Sequence, residues 1–297
     1  MQLYSIETGR FKLDGGAMFG VVPKTLWSKV HPADENNLCT WTMRCLLIQE
    51  NNKLILVDNG IGDKQDERFF RHYYLHGDDS LDKSLAKHGF HRDDITDVLL
   101  THLHFDHCGG SIRREDDKLV PAFKNATYWS HSRHWKWATE PNDREKASFL
   151  KENILPIQES GQLKFVDASA SSQPPAGATW PGGSLDIISN VILPGLSVRI
   201  ANGHTEAMIL PQLQYKGKTL VFMADLLPSV GHVPLPWVMA YDMFPLTTLR
   251  EKRSFWEEAA TGGYVLILEH DPDSECCMLQ STDRGVRTSS IFRLEEV

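Results

Sequence analysis

The stretch Thr101-His102-Leu103-His104-Phe105-Asp106-His107-Cys108-Gly109-Gly110 constrains this chain more than any other. Four side chains able to bind a transition metal fall within six positions, directly after the apolar run Val98-Leu99-Leu100. An apolar run, then polar residues, then paired glycines reads as a buried strand ending in a tight loop. His102 and His104 are two apart on an extended segment, so they share a face and can grip one ion. Asp106 and His107 lie past the strand end, where the turning backbone can aim them at a second ion. Packing alone is a poor account of the cluster, because every buried polar group needs its own partner. Imidazole and carboxylate ligands together suit zinc, and also iron, manganese or cobalt.

Three further candidates recur at the ends of apolar runs. Gly203-His204-Thr205 follows Leu196-Ser197-Val198-Arg199-Ile200, Asp225 ends Leu220-Val221-Phe222-Met223-Ala224, and His270 ends Tyr264-Val265-Leu266-Ile267-Leu268-Glu269. H-x-H-x-D-H after an apolar strand, followed by these residues in this order, resembles the metallo-β-lactamase superfamily over nearly the whole chain. The resemblance gives His102, His104 and His204 to a first metal, and Asp106, His107 and His270 to a second, with Asp225 bridging both. It implies two divalent ions, zinc first, with manganese, iron or cobalt as alternatives. Asp14-Gly15-Gly16-Ala17-Met18-Phe19-Gly20-Val21-Val22-Pro23-Lys24, Ala224-Asp225-Leu226-Leu227-Pro228 and Pro236-Trp237-Val238-Met239-Ala240-Tyr241-Asp242 are similar to the YtnP-type quorum-quenching lactonases.

Composition narrows the partners. The 297 residues carry a net charge of −8 and no dense Lys/Arg run, which argues against a nucleic-acid partner. No apolar run reaches the ~20 residues of a membrane helix. The opening lacks a basic stretch before an apolar core, so no signal peptide is evident. The five cysteines form no spaced disulfide framework, and Cys276 and Cys277 are adjacent, so reduced thiols in a cytoplasmic protein are the simplest account.

Residues 3–7 and 10–13 read as two short strands around Gly9. Residues 14–37 have no sustained period and read as a long ordered loop over the metal site. Met18 and Phe19 are then candidates for the pocket wall, with packing to the core as the alternative. On the pocket reading, Phe19→Ala raises KM for apolar substrates with little loss of fold. Residues 43–49 and 53–58 suggest a hairpin. The family resemblance gives Asp58 a role behind the ligands, orienting a histidine or the following loop. Residues 64–75 and 80–88 look helical, as does the charged stretch 143–152, and 127–130 reads as a strand. The cluster Trp129, His131, His134, Trp135 and Trp137 reads as packing. Residues 169–183 are rich in Ser, Pro, Ala and Gly and read as a surface connection. Ligands on both sides of it must meet at one site, so the expected organisation is one domain, 1–297. Its fold class is α/β, the αββα sandwich of two mixed sheets flanked by helices that the resemblance implies.

Two adjacent ions lower the pKa of bound water from ~15.7 towards ~7, so a metal-bridging hydroxide can attack without a Ser or Cys nucleophile. No G-x-S-x-G elbow, Walker loop or Rossmann glycine fingerprint competes. The resemblance implies a zinc-dependent hydrolase, foremost a lactonase opening acyl-homoserine-lactone-like rings, with Asp106 relaying a proton to the leaving oxygen. Acyl-homoserine lactonases carry a substrate-binding tyrosine three residues after the bridging aspartate, and Pro228 stands there in this chain. His232 and Tyr241 are the candidate replacements, and Trp237, Met239 and Phe244 would give their loop an apolar face. The partner is then a small ester or lactone, with neither nucleic acid nor membrane, and a homodimer is implied only by the related lactonases. A phosphotriesterase of the methyl-parathion-hydrolase kind is the nearest rival. A thioester hydrolase of the glyoxalase II type is a more distant one, since no basic cluster is apparent for glutathione carboxylates.

Overall fold

The computed structural model describes residues 1–167 and 185–297, so the expected connection 169–183 lies outside the described residues. Two sheets stand face to face. The first has the order β1 (Gln2–Asp14), β2 (Leu38–Glu50), β3 (Lys53–Val57), β4 (Asp97–Leu99), β7 (Thr127–Ser130), β8 (Leu163–Phe165). The second runs β15 (Gly285–Phe292), β14 (Cys276–Thr282), β13 (Val265–Ile267), β12 (Lys218–Phe222), β11 (Met208–Tyr215), β10 (Leu196–Ala201), β9 (Asp186–Ile188). A separate hairpin pairs β5 (Ile112–Glu115) with β6 (Lys118–Pro121). Both large sheets are mixed: β3, β4, β7 and β8 run parallel, as do β12 and β13, and the remaining pairs are antiparallel.

Alternation along the central strands explains why they read as continuous apolar runs. Leu46, Ile48, Ile55, Val57 and Leu99 face the second sheet and join a core with Val198, Ile200, Val221 and Leu266. Their neighbours Cys45, Leu47, Leu54, Leu56, Val98 and Leu100 face the other way, onto an outer helical layer. That layer includes α4 (Leu81–Lys87), α6 (Ser132–Thr139) and α7 (Lys151–Glu159). A strand buried on both faces loses the polar-apolar alternation of a half-exposed one. On the far side, α8 (Pro245–Gly262) lays Phe255, Trp256 and Ala259 onto the core of the second sheet. The result is the four-layer αββα sandwich of the expected class.

Several local expectations change. Residues 3–13 belong to one strand, β1, whose register shifts between Glu7 and Arg10. Residues 14–37 contain two short helices, α1 (Gly15–Phe19), capped by the Asp14 carboxylate, and α2 (Lys24–Trp27). Of residues 64–75 only α3 (Glu67–Phe70) is helical. The backbone beyond it bonds to β1 instead, with Lys12 N–H donating to Tyr73 O at 2.7 Å and Arg10 N–H to His76 O at 3.1 Å. Most of 143–152 is turn, because the Asn142 side chain accepts the Arg144 and Glu145 N–H groups and α7 begins only at Lys151. All five cysteines are free and buried. No helix among the described residues is long and apolar enough to cross a membrane.

Candidate metal centre

The site forms where strands of both sheets end on one side. β10 and β12 are each antiparallel to β11, so β10, β12 and β13 run the same way and release His204, Asp225 and His270 from the same edge. From the first sheet, β4 stops at Leu99, and His102 and His104 lie beyond it rather than on it. Asp106 and His107 occupy the single turn α5 (Phe105–Cys108), which begins with His107 N–H and Cys108 N–H both donating to His104 O at 3.1 Å. The two halves are tied together by Thr42 N–H to His270 O at 3.2 Å and Ile209 N–H to Thr101 O at 2.8 Å.

Close backbone approach fixes two of the loops. A Cβ on Gly109 or Gly110 would stand 2.1 Å from Ile61 O or 2.2 Å from Asn59 O, so the paired glycines let the metal loop rest on the loop after β3. Asp58 and Ala224, both beside the cluster, hold left-handed backbones at φ 56° and 41°. Such conformations cost of order 1–3 kcal/mol for non-glycine residues and gather at functional sites.

Among the described residues, Asp58, His107 and Glu269 form one group around the outer nitrogen of His107. Two more groups of donors result, each group's ligand atoms within 4.8 Å of one another. One is His102, His104, His204 and Asp225, and the other is Asp106, His107 and His270. Asp225 links them: its Oδ2 lies 3.0 Å from His204 Nε2 and 3.5 Å from His107 Nε2, and its Oδ1 lies 3.1 Å from His270 Nε2.

The outer nitrogen of each ring meets an acceptor. His104 Nε2 faces Glu145 Oε1 at 2.9 Å, His204 Nδ1 faces Asp242 Oδ1 at 2.9 Å, and His270 Nδ1 faces Thr42 O at 2.7 Å. His102 Nδ1 lies 3.1 Å from Thr101 Oγ1, whose own hydrogen goes to Asp58 Oδ2 at 2.6 Å. His107 Nδ1 sits between Asp58 Oδ2 at 3.2 Å and Glu269 Oε2 at 3.1 Å. These acceptors set each N–H outward and leave the inner nitrogens as lone pairs. Those lone pairs crowd together, with His102 Nε2 3.0 Å from His104 Nδ1 and His204 Nε2 3.2 Å from His104 Nδ1. Two nitrogens bound ~2.0–2.1 Å from one tetrahedral ion stand ~3.3 Å apart, so the spacing fits a shared cation. The residues present therefore fit a pair of divalent ions.

Electrostatics agree with that fit. Burial alone would raise the Asp225 pKa, but the His204, His270 and His107 rings hold it well below the usual carboxylate range. Burial, then the neighbouring His107 and His104 rings, push His102 far down. The Asp225 and Asp242 carboxylates outweigh burial and raise His204 to about 10, so a cation binding there would displace a proton from its inner nitrogen. Burial, with the Asp58 charge adding to it, lifts Glu269 to about 8 against the opposing pull of His107.

Beside the cluster lies a cavity of about 400 Å³, lined by His104, Asp106, His204, Asp225 and His270 on its floor. Leu13, Met18, Phe105, Met239 and Met243 supply apolar wall, and Tyr73, Tyr241 and Arg144 supply polar atoms. Met18 and Tyr241 both border the cavity.

Phe19, Trp237 and His232 do not line the cavity. Phe19 is fully buried beneath it, stacked on His232 at 4.5 Å and on Trp27 at 5.5 Å, with Trp237 edge-on at 5.7 Å. His232 is equally enclosed: its Nε2–H donates to Met18 O at 2.9 Å and its Nδ1 accepts from Ser229 Oγ at 2.8 Å. Burial pushes its pKa down to about 3, so the ring is neutral. It anchors α1, and through α1 the Met18 side chain, instead of meeting a substrate. The apolar character of these residues was legible, but which side of the loop faced the cavity was not.

Sequence reading gave no role to Glu145, Asp242 or Glu269 behind the histidines, or to Tyr73 and Arg144 at the cavity. Glu145 lay in a stretch that resembled a solvated helix, and no spacing rule ties it to His104, 41 positions away. His134, read as packing, accepts Leu103 N–H at 2.8 Å and so steadies the metal loop.

The chain belongs to the metallo-beta-lactamase superfamily, whose family model matches residues 44–259. Among individual proteins, it is 29% identical over 120 residues to the N-acyl homoserine lactonase AiiA of Bacillus thuringiensis subsp. kurstaki, covering 37% of this chain and 44% of that one. It is 26% identical over 165 residues to an N-acyl homoserine lactonase of Bacillus cereus, covering 52% and 56%. The chain thus spans about half the length of the curated relatives it matches. A Staphylococcus aureus structure titled "a probable metal-dependent hydrolase" superposes with a TM-score of 0.83 at 26% identity, covering 100% of this chain and 98% of that one. The dizinc quorum-quenching lactonase AidC shares the fold, with a TM-score of 0.73 at 19% identity over 98% and 95% of the two chains.

Proposed function

We propose that this protein is a dinuclear metal-dependent hydrolase that opens lactone rings, with zinc as the metal. The observation that carries the reading is the placement of two donor groups sharing Asp225 on the floor of a largely apolar cavity. His102, His104 and His204 would hold one ion, Asp106, His107 and His270 the other, and Asp225 both. Bound there, the pair supplies a Lewis acid for the ester carbonyl and an activated water at neutral pH.

The chain's own residues do the rest. Met18, Met239 and Met243 offer flexible apolar surface for an acyl arm and keep bulk water from it. Tyr73 and Tyr241 present phenol hydroxyls that make no hydrogen bond among the described residues, so either can donate to the substrate carbonyl in place of the tyrosine missing at Pro228. Asp106 borders the same cavity and carries a carboxylate that can take the proton to the departing ring oxygen. Arg144 is the one lysine or arginine on the described cavity wall, fixed by a hydrogen bond to Ala240 O. A single cation is poor provision for the two carboxylates of a glutathione thioester.

The test is a comparison of kcat/KM for the metal-loaded protein on lactones of varied acyl length, aryl phosphotriesters and thioesters. Lactones are expected to lead. A phosphotriester or thioester turned over more efficiently than every lactone would replace the substrate class while leaving the metal centre intact.

A further inference from the structure

A second cavity, of about 370 Å³, is lined by Asp63, Lys64, Asp82, Arg92, Arg113 and Arg114. Four cationic side chains against two carboxylates stand out on a chain whose net charge is −8. One pair cancels within the wall, since Arg92 grips Asp82 through Nε at 2.5 Å and Nη2 at 3.2 Å. The others keep unused donors. Lys64 is buried, yet among the described residues its ammonium makes one hydrogen bond, to Gly109 O at 2.5 Å, and so has N–H groups to spare. Arg113 pairs with Glu115 through Nη2, while its Nε is buried with no hydrogen-bond partner among the described residues. Arg114, next on β5, is exposed and makes no hydrogen bond or ion pair among the described residues.

Buried donors without acceptors are destabilising, and such a deficit is relieved by a ligand rich in acceptors. A tetrahedral oxyanion offers several acceptor oxygens to ammonium and guanidinium groups at once. We infer that Lys64, Arg113 and Arg114 form a binding site for a phosphate group, carried by inorganic phosphate or a small phosphomonoester, in a cavity that shares no lining residue with the catalytic one. The Lys64–Gly109 hydrogen bond places that site against the backbone two residues beyond His107. Nothing in the lactonase reading requires it, so either can fail alone.

Isothermal titration of the metal-loaded protein with inorganic phosphate and with glycerol 3-phosphate, at constant ionic strength, tests the assignment. Saturable binding is expected for at least one of them, and the tighter ligand identifies the source of the phosphate group. Arg113→Gln/Arg114→Gln should weaken that binding about tenfold or more. Arg114→Gln alone, at an exposed side chain, should weaken it in the same direction and covers the case of a misfolded double variant. Phosphate held at the metal centre would bind all these variants equally. Equal affinity across the variants, or no saturable binding by either ligand, would overturn the inference.

Discussion

At the scale of single residues, the imidazoles depend on what stands behind them. His104 turns its Nδ1 inward because Glu145 Oε1 takes its Nε2–H, and Glu145 is held in turn by Trp137 Nε1 at 2.6 Å. Loss of such a partner typically lowers metal affinity ~10–100-fold. Glu145→Ala should show that loss in a chelator competition, with the far-UV spectrum unchanged. Unaltered affinity would mean that the metal loop alone orients His104. Phe19 illustrates the opposite case. Enclosed by Trp27, Trp41, His31 and His232, it should cost ~3–5 kcal/mol of stability when truncated to Ala, read from urea unfolding. A raised KM with unchanged stability would restore Phe19 to the pocket wall. The sequence exposed His102, His104, Asp106 and His107 because four ligands in six positions have few other uses. Phe19 has no such signature, since an aromatic ring in an aperiodic segment suits a pocket and a core equally well.

At the scale of elements, α8 positions His204 without touching it. Glu251 accepts Asn202 N–H at 2.6 Å and Gly203 N–H at 3.0 Å, fixing the turn after β10. Gly203 packs so closely on α8 that a Cβ would lie 2.3 Å from Thr248 Oγ1. Burial raises the Glu251 pKa to about 7 although both backbone donors oppose the rise. The folded state therefore binds the proton more tightly than the unfolded state, and stability falls as pH rises from about 4.5 through about 7. One pKa unit is worth ~1.4 kcal/mol, so the upper bound on this contribution is ~3.5 kcal/mol. Urea unfolding of the metal-loaded protein at pH 5 and pH 7.5 should show a decline that Glu251→Gln largely removes. The same slope in both proteins would contradict the assignment. This contact joins residues 49 apart, and no local pattern announces it. The strands, by contrast, were legible from their apolar runs. Residues 64–75 misled because backbone bonds from β1 override helical composition beyond Phe70.

At the scale of the whole molecule, the fold is a device for bringing strand ends together. β4 lies in one sheet, β10, β12 and β13 in the other, and the described layers pack so that all four end at one rim. Seven side chains from His102 to His270 then face a common centre, and the buried lone pairs of five imidazoles repel one another unless cations lie among them. The order of apolar run and ligand, repeated along the chain, made this convergence visible in advance. The placement of the cavity walls was not, because Met18, Tyr73, Arg144 and Tyr241 come from four separate segments whose meeting depends on tertiary contacts. The most direct test is anomalous diffraction at the zinc edge from crystals of the zinc-loaded protein. Two peaks are predicted, ~3.5–4 Å apart and on either side of the Asp225 carboxylate. No peak among these seven residues, or one ion that leaves Asp106, His107 and His270 unbound, would contradict the account.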